Sequence, residues 1–317
     1  MKLLKLIPDN TNIRFLRWRV PFYVVSILLM LASIGLVVGK GLNLGVDFVG
    51  GQSIRVTFVE SAQAPLAELR ESVGKLGYGD PVLQQMKPNQ VALRMKLPEN
   101  ESQGQADAMA RDIVQTIQKN HPDARVDGVE SVSGQVSGEL FQTGMIAMGL
   151  AMLDISIYIW LRFEWQFGAG ALFALLHDVV VTLGLFALTG LEFDLNIVAA
   201  LLTLIGYSLN DNIVVYDRVR ENLRKYRKMP MPELLDLSVN ETLSRTVVTT
   251  TSLLITLLSL LILGPDVIFG FTAAITVGIF VGTYSSIFMA TPILIWLGVT
   301  PDSFVTEEVR DGAAARC

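Results

Sequence analysis

The sequence is poor in the residues that soluble enzymes and disulfide scaffolds use. Its 317 residues include one cysteine, Cys317, and two histidines, His121 and His177. A single terminal cysteine excludes an internal disulfide and leaves no Cys-based metal site or nucleophile. Cys317 is expected to be a solvated tail residue. No H-E-x-x-H string is present and no thiol lies in an apolar run, so a membrane protease is not expected. Charged residues make up 17% of the chain, well below the roughly 25% of soluble domains, while 51% is apolar. The net charge of −5 carries little information, because the charges are unevenly spread. No catalytic residue, metal, cofactor or nucleic-acid partner is expected.

Six apolar segments fill much of the chain, each near the roughly 20 residues that a bilayer-spanning helix needs. They run over about 20–39, 140–161, 168–190, 195–216, 246–264 and 267–297. The first has a basic flank, but no A-x-A-like cleavage site follows it, which predicts an uncleaved anchor. The last is too long for one straight span, and Pro292 is expected to kink or end it.

Lysine and arginine set the expected orientation. The N-terminal stretch carries Lys2, Lys5, Arg14, Arg17 and Arg19. The basic link 217–244 carries Arg218, Arg220, Arg224, Lys225, Arg227 and Lys228, while the links 189–196 and 264–270 carry none. The positive-inside rule puts both termini (segments 1–19 and 298–317) and the basic link in the cytoplasm. Trp18, Trp160, Trp165 and Trp296 then fall near cytoplasmic helix ends, where an interfacial indole is favoured.

Residues 40–138 form the sizeable soluble part, expected on the far side and folding as one unit between spans 20–39 and 139–297. The run 52–60 alternates and is rich in β-branched residues, as a strand does. Residues 65–77 read as a helix opened by Pro65 and closed by Gly77. Runs 82–87 and 90–97 flank Pro88-Asn89 as a hairpin. An amphipathic helix over 103–120 and a strand over 124–133 complete a β-α-β-β-α-β order, that of the ferredoxin-like split unit. The expected fold class is thus a polytopic α-helical membrane protein with six transmembrane helices plus one α+β ferredoxin-like domain. His121, before Pro122, is expected at the surface.

Polar groups inside the spans are the functional candidates. Asp211 leads, in 195-LNIVAALLTLIGYSLNDNIVVY-216. A carboxylate in a span is costly, and ion or proton pathways are the usual reason for one, with a polar contact between helices the alternative. Asn210 and Asn212 flank it. Asp154 lies in the second span and His177 and Asp178 in the third. From the 1.5 Å helical rise, Asp211 would lie about 8 Å, Asp154 about 11 Å and His177 about 16 Å from the cytoplasmic ends. His177 and Asp178 are about 100° apart on a helix, so one is expected to face the bundle and the other a partner. Arg245, opening the fifth span, reads either as a positive-inside anchor or as a counter-charge. Gly278 with Gly282 and Gly35 with Gly39 are GxxxG pairs that read as packing surfaces. The hydroxyls of Thr249, Thr250, Thr251 and Ser252 can bond backbone carbonyls or hold water near a carboxylate.

Four strings carry a family resemblance: 45-GVDFVGG-51, 162-RFEWQFGAGA-171, 200-ALLTLIGYSLNDNIVVYDRVREN-222 and 282-GTYSSIFMATPIL-294. With six spans and one large extracytoplasmic loop, they resemble the SecF family of protein-export subunits, in the resistance-nodulation-division superfamily. The resemblance covers nearly the whole chain. It implies a multi-pass protein of the bacterial inner membrane that pairs with SecD, and often with a small accessory membrane subunit, beside the Sec translocon. It implies use of the proton-motive force to promote export of polypeptide substrates. It also assigns proton transport to Asp211, with a basic residue on the fifth span, here Arg245, acting with it. Asn212 stands where relatives are expected to carry Thr, and Asp154 where an apolar residue is expected. The rival readings are half of a proton-coupled small-molecule exporter of the same superfamily and a passive scaffold in the lipid bilayer. The exporters usually join two six-span halves in one chain, and a scaffold leaves Asp211 unexplained.

Overall fold

The computed structural model describes residue 8, residues 11–96 and residues 103–300. Lys2, Lys5 and Cys317, with the tail from residue 301, lie outside the described residues. The chain divides into two compact units: 44–147 with 192–195, and the remainder. In chain order the elements are α1 (Arg19–Gly39), β1 (Asn43–Leu44), the one-turn α2 (Val46–Val49), β2 (Gly51–Phe58), α3 (Leu66–Gly74), β3 (Val82–Lys87), β4 (Gln90–Met95), α4 (Gln103–Asn120) and β5 (Ala124–Val132). There follow α5 (Gly134–Arg162), α6 (Trp165–Thr189), β6 (Glu192–Phe193), α7 (Leu195–Lys225), α8 (Met231–Leu263), α9 (Phe269–Ser285), a π-helical turn (Ser286–Ala290) and α10 (Thr291–Trp296).

The smaller unit is built on an antiparallel sheet of order β3-β4-β2-β5. Ile54 faces Leu93 and Val56 faces Val91 across the central pair. Alternation sends Ile54, Val56 and Phe58 to one face, where Val91, Leu93 and Met95 join them. Leu69 and Val73 of α3 with Met109, Ile113 and Ile117 of α4 cover that face, and all these side chains are buried. Non-directional burial of about 25 cal/mol per Å² holds this core. His121 is half-buried, its ring edge-on to Phe58 at 5.5 Å, and so is less exposed than its polar neighbours suggest.

The string 45–51 wraps this unit tightly. Gly50 and Gly51 have φ of 73° and 123°, a conformation that side-chain-bearing residues rarely adopt. A Cβ on Gly51 would also strike the Met95 carbonyl oxygen. Asp47 accepts the Leu195 N–H at the start of α7 (3.0 Å), and Gly45 N–H donates to Phe193 O (2.8 Å). Arg94 pairs with Glu192 at 2.7 Å. Burial pushes the Glu192 carboxyl up, against the opposing pull of Arg94.

Six helical stretches are long and apolar enough to cross a membrane: Phe15–Gly39, Val136–Arg162, Trp165–Thr189, Leu195–Lys225, Met231–Leu263 and Asp266–Trp296. In the membrane unit α6 is the most enclosed, packed on α1, α9 and the π turn. Gly184 of α6 sits against Ser33 of α1 with no room for a Cβ. Gly278 of α9 meets Leu204 of α7, and Gly282 meets Ser208. That GxxxG pair is a packing surface, whereas Gly35 and Gly39 have nothing within 4 Å. Small residues let backbones approach where no hydrophobic effect drives helices together.

Much of the basic stretch 217–244 is helical, because α7 runs on to Lys225 and α8 begins at Met231. Tyr216, Val219 and Leu223 face Leu234, Leu235 and Val239 in one buried cluster, so the two helix ends pack as an apolar pair beneath a charged surface. Asn240 clasps Ile13 through both backbone groups (2.9 and 2.8 Å), fixing the entry to α1.

The last span is interrupted ahead of Pro292. Proline lacks an N–H and its ring crowds the carbonyl four residues back, and the wide turn Ser286–Ala290 absorbs the misfit. Thr291 Oγ1 donates to Ser286 O, Tyr23 OH to Met289 O (2.6 Å) and Tyr216 OH to Ala290 O (2.8 Å).

Candidate functional site

Two buried carboxylates of the membrane unit, Asp178 and Asp211, lie in different surroundings. Asp178, on α6, is 1% exposed. Its Oδ2 accepts from Ser208 Oγ of α7 (2.6 Å) and Ser285 Oγ of α9 (2.9 Å), and its Oδ1 lies 3.0 Å from His177 Nδ1. Three helices thus converge on one carboxylate. The expectation that His177 and Asp178 face different surroundings is not met. Both are buried and bonded to each other, because α6 is covered on several sides and the imidazole reaches back around the helix. His177 also lies 6.3 Å, ring to ring, from Tyr284, whose hydroxyl meets Ser26 Oγ of α1 at 2.8 Å. Among the described residues His177 Nε2 meets no hydrogen-bond partner.

One turn beyond Ser208, Asp211 is 4% exposed and Asn212 fully buried. Asp211 Oδ2 and both polar side-chain atoms of Asn212 meet no partner among the described residues. Arg245 of α8 is the charged group whose field acts on Asp211, but no ion pair within 4.0 Å joins them, and Arg245 is exposed. Between these helices runs a chain of hydroxyls: Tyr207 to Thr250 at 3.2 Å, and Thr250 to Thr283 at 3.0 Å. Thr249 instead bonds back to the Arg245 and Thr246 carbonyls.

The structure joins His177 to Asp178, sets Asp211 and Asn212 one turn along α7 from Ser208, which bonds Asp178, and leaves Arg245 exposed on α8. Asn210 points to an exposed face of α7, and Asp154 is exposed on α5. Sequence reasoning passed over Ser208 and Ser285. Their signal was present in register: Ser285 lies three residues after Gly282, and Ser208 three before Asp211, each one helical turn from a marked position.

A bundle of bilayer-length helices with buried carboxylates and an attached small α+β unit defines the class of a polytopic transport protein. The profile of the family described as "Protein export membrane protein SecD/SecF, C-terminal" matches residues 112–300, and that of the "SecD/SecF GG Motif" matches residues 35–62. The chain is 44% identical to the protein translocase subunit SecF of Cereibacter sphaeroides, covering 93% of each. It is 41% identical to that of Rhodobacter capsulatus, covering 98% of each. It is also similar to the crystal structure of SecDF, a translocon-associated membrane protein from Thermus thermophilus: TM-score 0.81, 33% identity, 92% of this chain but 39% of that longer chain. The chain belongs to the SecD/SecF family of protein-export membrane proteins.

Proposed function

We propose that this chain is the SecF-type half of an accessory unit of the Sec translocase, and that it uses the proton-motive force, together with SecD, to promote export of polypeptides across the bacterial inner membrane. The observation that carries this reading is Asp211: a carboxylate inside a spanning helix, enclosed, with an oxygen that no protein donor satisfies. A neutral acid is tolerated there, whereas an ionised one calls for Arg245 or water. Alternation between the two states biases two arrangements of α7 against α8 and α9. One charge crossing the potential supplies about 2.3 kcal/mol per 100 mV, enough to shift a two-state equilibrium more than about tenfold. Asn212, His177 and Asp178 extend the polar path, and Asp154 and Asn210 have no assigned step. The 44% identity to a protein translocase subunit SecF over 93% of each chain favours a translocase subunit over a self-sufficient small-molecule exporter.

In this reading the β-α-β-β-α-β unit is a ferredoxin-like domain outside the cytoplasmic membrane face, both termini and residues 217–244 are cytoplasmic, and the translocon, its accessory subunit and the exported chain are the partners. The test is export in inverted membrane vesicles with and without a proton gradient. Asp211→Asn is expected to remove the gradient-dependent gain while the complex with SecD still assembles. Full retention of that gain would overturn the proton role.

A further inference from the structure

A recess of about 660 Å³ opens where α5 and α7 end, lined by Arg162, Asp217, Arg220, Glu221, Arg224 and Lys225. Four cationic and two anionic side chains make it net positive. The anionic ones are already engaged: Asp217 with Arg162 (3.2 Å) and Glu221 with Arg218 (2.8 Å). Arg220 is held by Glu164 at 3.4 Å. The guanidinium groups of Arg162 and Arg220 stand over the Phe163 ring, 5.0 and 5.3 Å from its centre, which fixes them without neutralising them. Arg224 makes no ion pair among the described residues, and Lys225 Nζ rests over the Tyr226 ring at 4.9 Å. Arg224 and Lys225 therefore stand outside any ion pair within 4.0 Å among the described residues, although Glu241 and Glu221 act on Lys225 through space.

The surroundings of the recess are apolar and uncovered. Leu161, directly before Arg162, is 80% exposed, Trp160 is 71% exposed and Trp165 is 58% exposed. These sit at the joint of two bilayer-length helices, where indole rings favour the level of the headgroups. A ligand matching both features carries an anionic phosphate and apolar tails. Topological anchoring requires only diffuse positive charge. It does not account for two arginines stacked on one ring and paired with Asp217 and Glu164, beside an Arg224 and Lys225 that no ion pair holds.

We propose that this recess is a binding site for the phosphodiester headgroup of an anionic phospholipid, with the acyl chains lying along Trp160, Leu161 and Trp165. It requires only that the helices span a bilayer, and is independent of the proton role of Asp211.

The test uses the full chain, purified from vesicles of equal phosphatidylglycerol and phosphatidylcholine content, with retained lipid counted by native mass spectrometry. Wild type is expected to retain phosphatidylglycerol over phosphatidylcholine by about tenfold. The variant Arg224→Gln/Lys225→Gln, changed only at exposed positions, is expected to keep its melting temperature and bring the ratio near parity. Asp217→Asn, which removes a competing carboxylate and releases Arg162, is expected to raise the ratio. Equal retention by wild type would overturn the proposal, as would an unchanged ratio in the double variant. Displacement of the lipid by millimolar inorganic phosphate would also overturn it, by showing a site for free phosphate.

Discussion

Asp178 and Asp211 are both enclosed in the membrane unit, and the protein treats them in opposite ways. Asp178 receives two hydroxyls and an imidazole from three helices. Asp211, one turn along α7 from Ser208, has an oxygen with no donor and a cation that stays out of contact. A satisfied buried polar group locks an arrangement, while an unsatisfied one makes the enclosed state sensitive to its charge. The contrast separates a carboxylate held as a clamp from the one proposed as a switch, although residue type alone makes the two look alike.

The sharpest way to break this contrast is to delete each carboxylate in turn. Asp178→Ala leaves two buried hydroxyls and an imidazole without their acceptor, and is expected to cost about 3–5 kcal/mol, read as a large fall in the melting midpoint in detergent. Asp211→Ala removes no protein hydrogen bond and is expected to change stability by less than about 1 kcal/mol. Equal losses would erase the distinction. Arg245→Met probes the switch alone. Gradient-driven export is expected to fall about tenfold, the equivalent of one lost charge interaction near 1.4 kcal/mol, with the melting midpoint unchanged. Combined with Asp211→Asn it is expected to add little if, as proposed, the two act as one unit. An additive double mutant would separate their roles.

Smaller effects refine the clamp. Ser208→Ala and Ser285→Ala are each expected to cost about 1 kcal/mol, with the pair departing from additivity because both donate to Asp178 Oδ2. Strict additivity in paired melts would argue against a shared acceptor. A third carboxylate, Asp127 in the small unit, gives a comparison outside the spanning helices. Burial pushes Asp127 up, but hydrogen bonds from Thr57, Arg125 and Gln90 with the Arg125 charge outweigh it and hold the carboxyl below its ordinary 3.8. Its folded value is depressed, so its contribution is present above that pH and lost as pH falls through the folded value. Acid titration of fragment 42–138 followed by circular dichroism is expected to show this loss, and Asp127→Asn to flatten it by less than about 1 kcal/mol. A featureless spectrum at neutral pH would instead show that the unit needs the rest of the chain.

The spans and strands were legible because their periods are long or regular. The apolar runs located six helices to within a few residues at most ends, and alternation in 52–60 and 90–97 located the central strands. The small unit's inward face follows from that alternation alone. What was not legible depends on which side chains meet. Arg218 to Lys228 read as a link because their charges mask the apolar stripe of Tyr216, Val219 and Leu223, which is visible only against Leu234, Leu235 and Val239. Asp211 stood out by chemistry, yet its lack of a partner is a fact about neighbours. The union of His177 with Asp178 depended on α6 being enclosed on several sides, which adjacency in sequence cannot convey.

The wide turn at Ser286–Ala290 makes the last span an object with one residue too many for its length. Each residue of an α-helix contributes about 100° of rotation, so winding these same five residues as regular α-helix would turn everything after them by about that angle. Leu294, buried against the bundle, would swing towards the surroundings, and the carbonyls of Met289 and Ala290 would leave Tyr23 and Tyr216. The extra residue thus works as a phase shifter. It lets Ser285 reach Asp178 and Leu294 reach the core from one continuous rod, two contacts that a regular helix of the same sequence would set out of step.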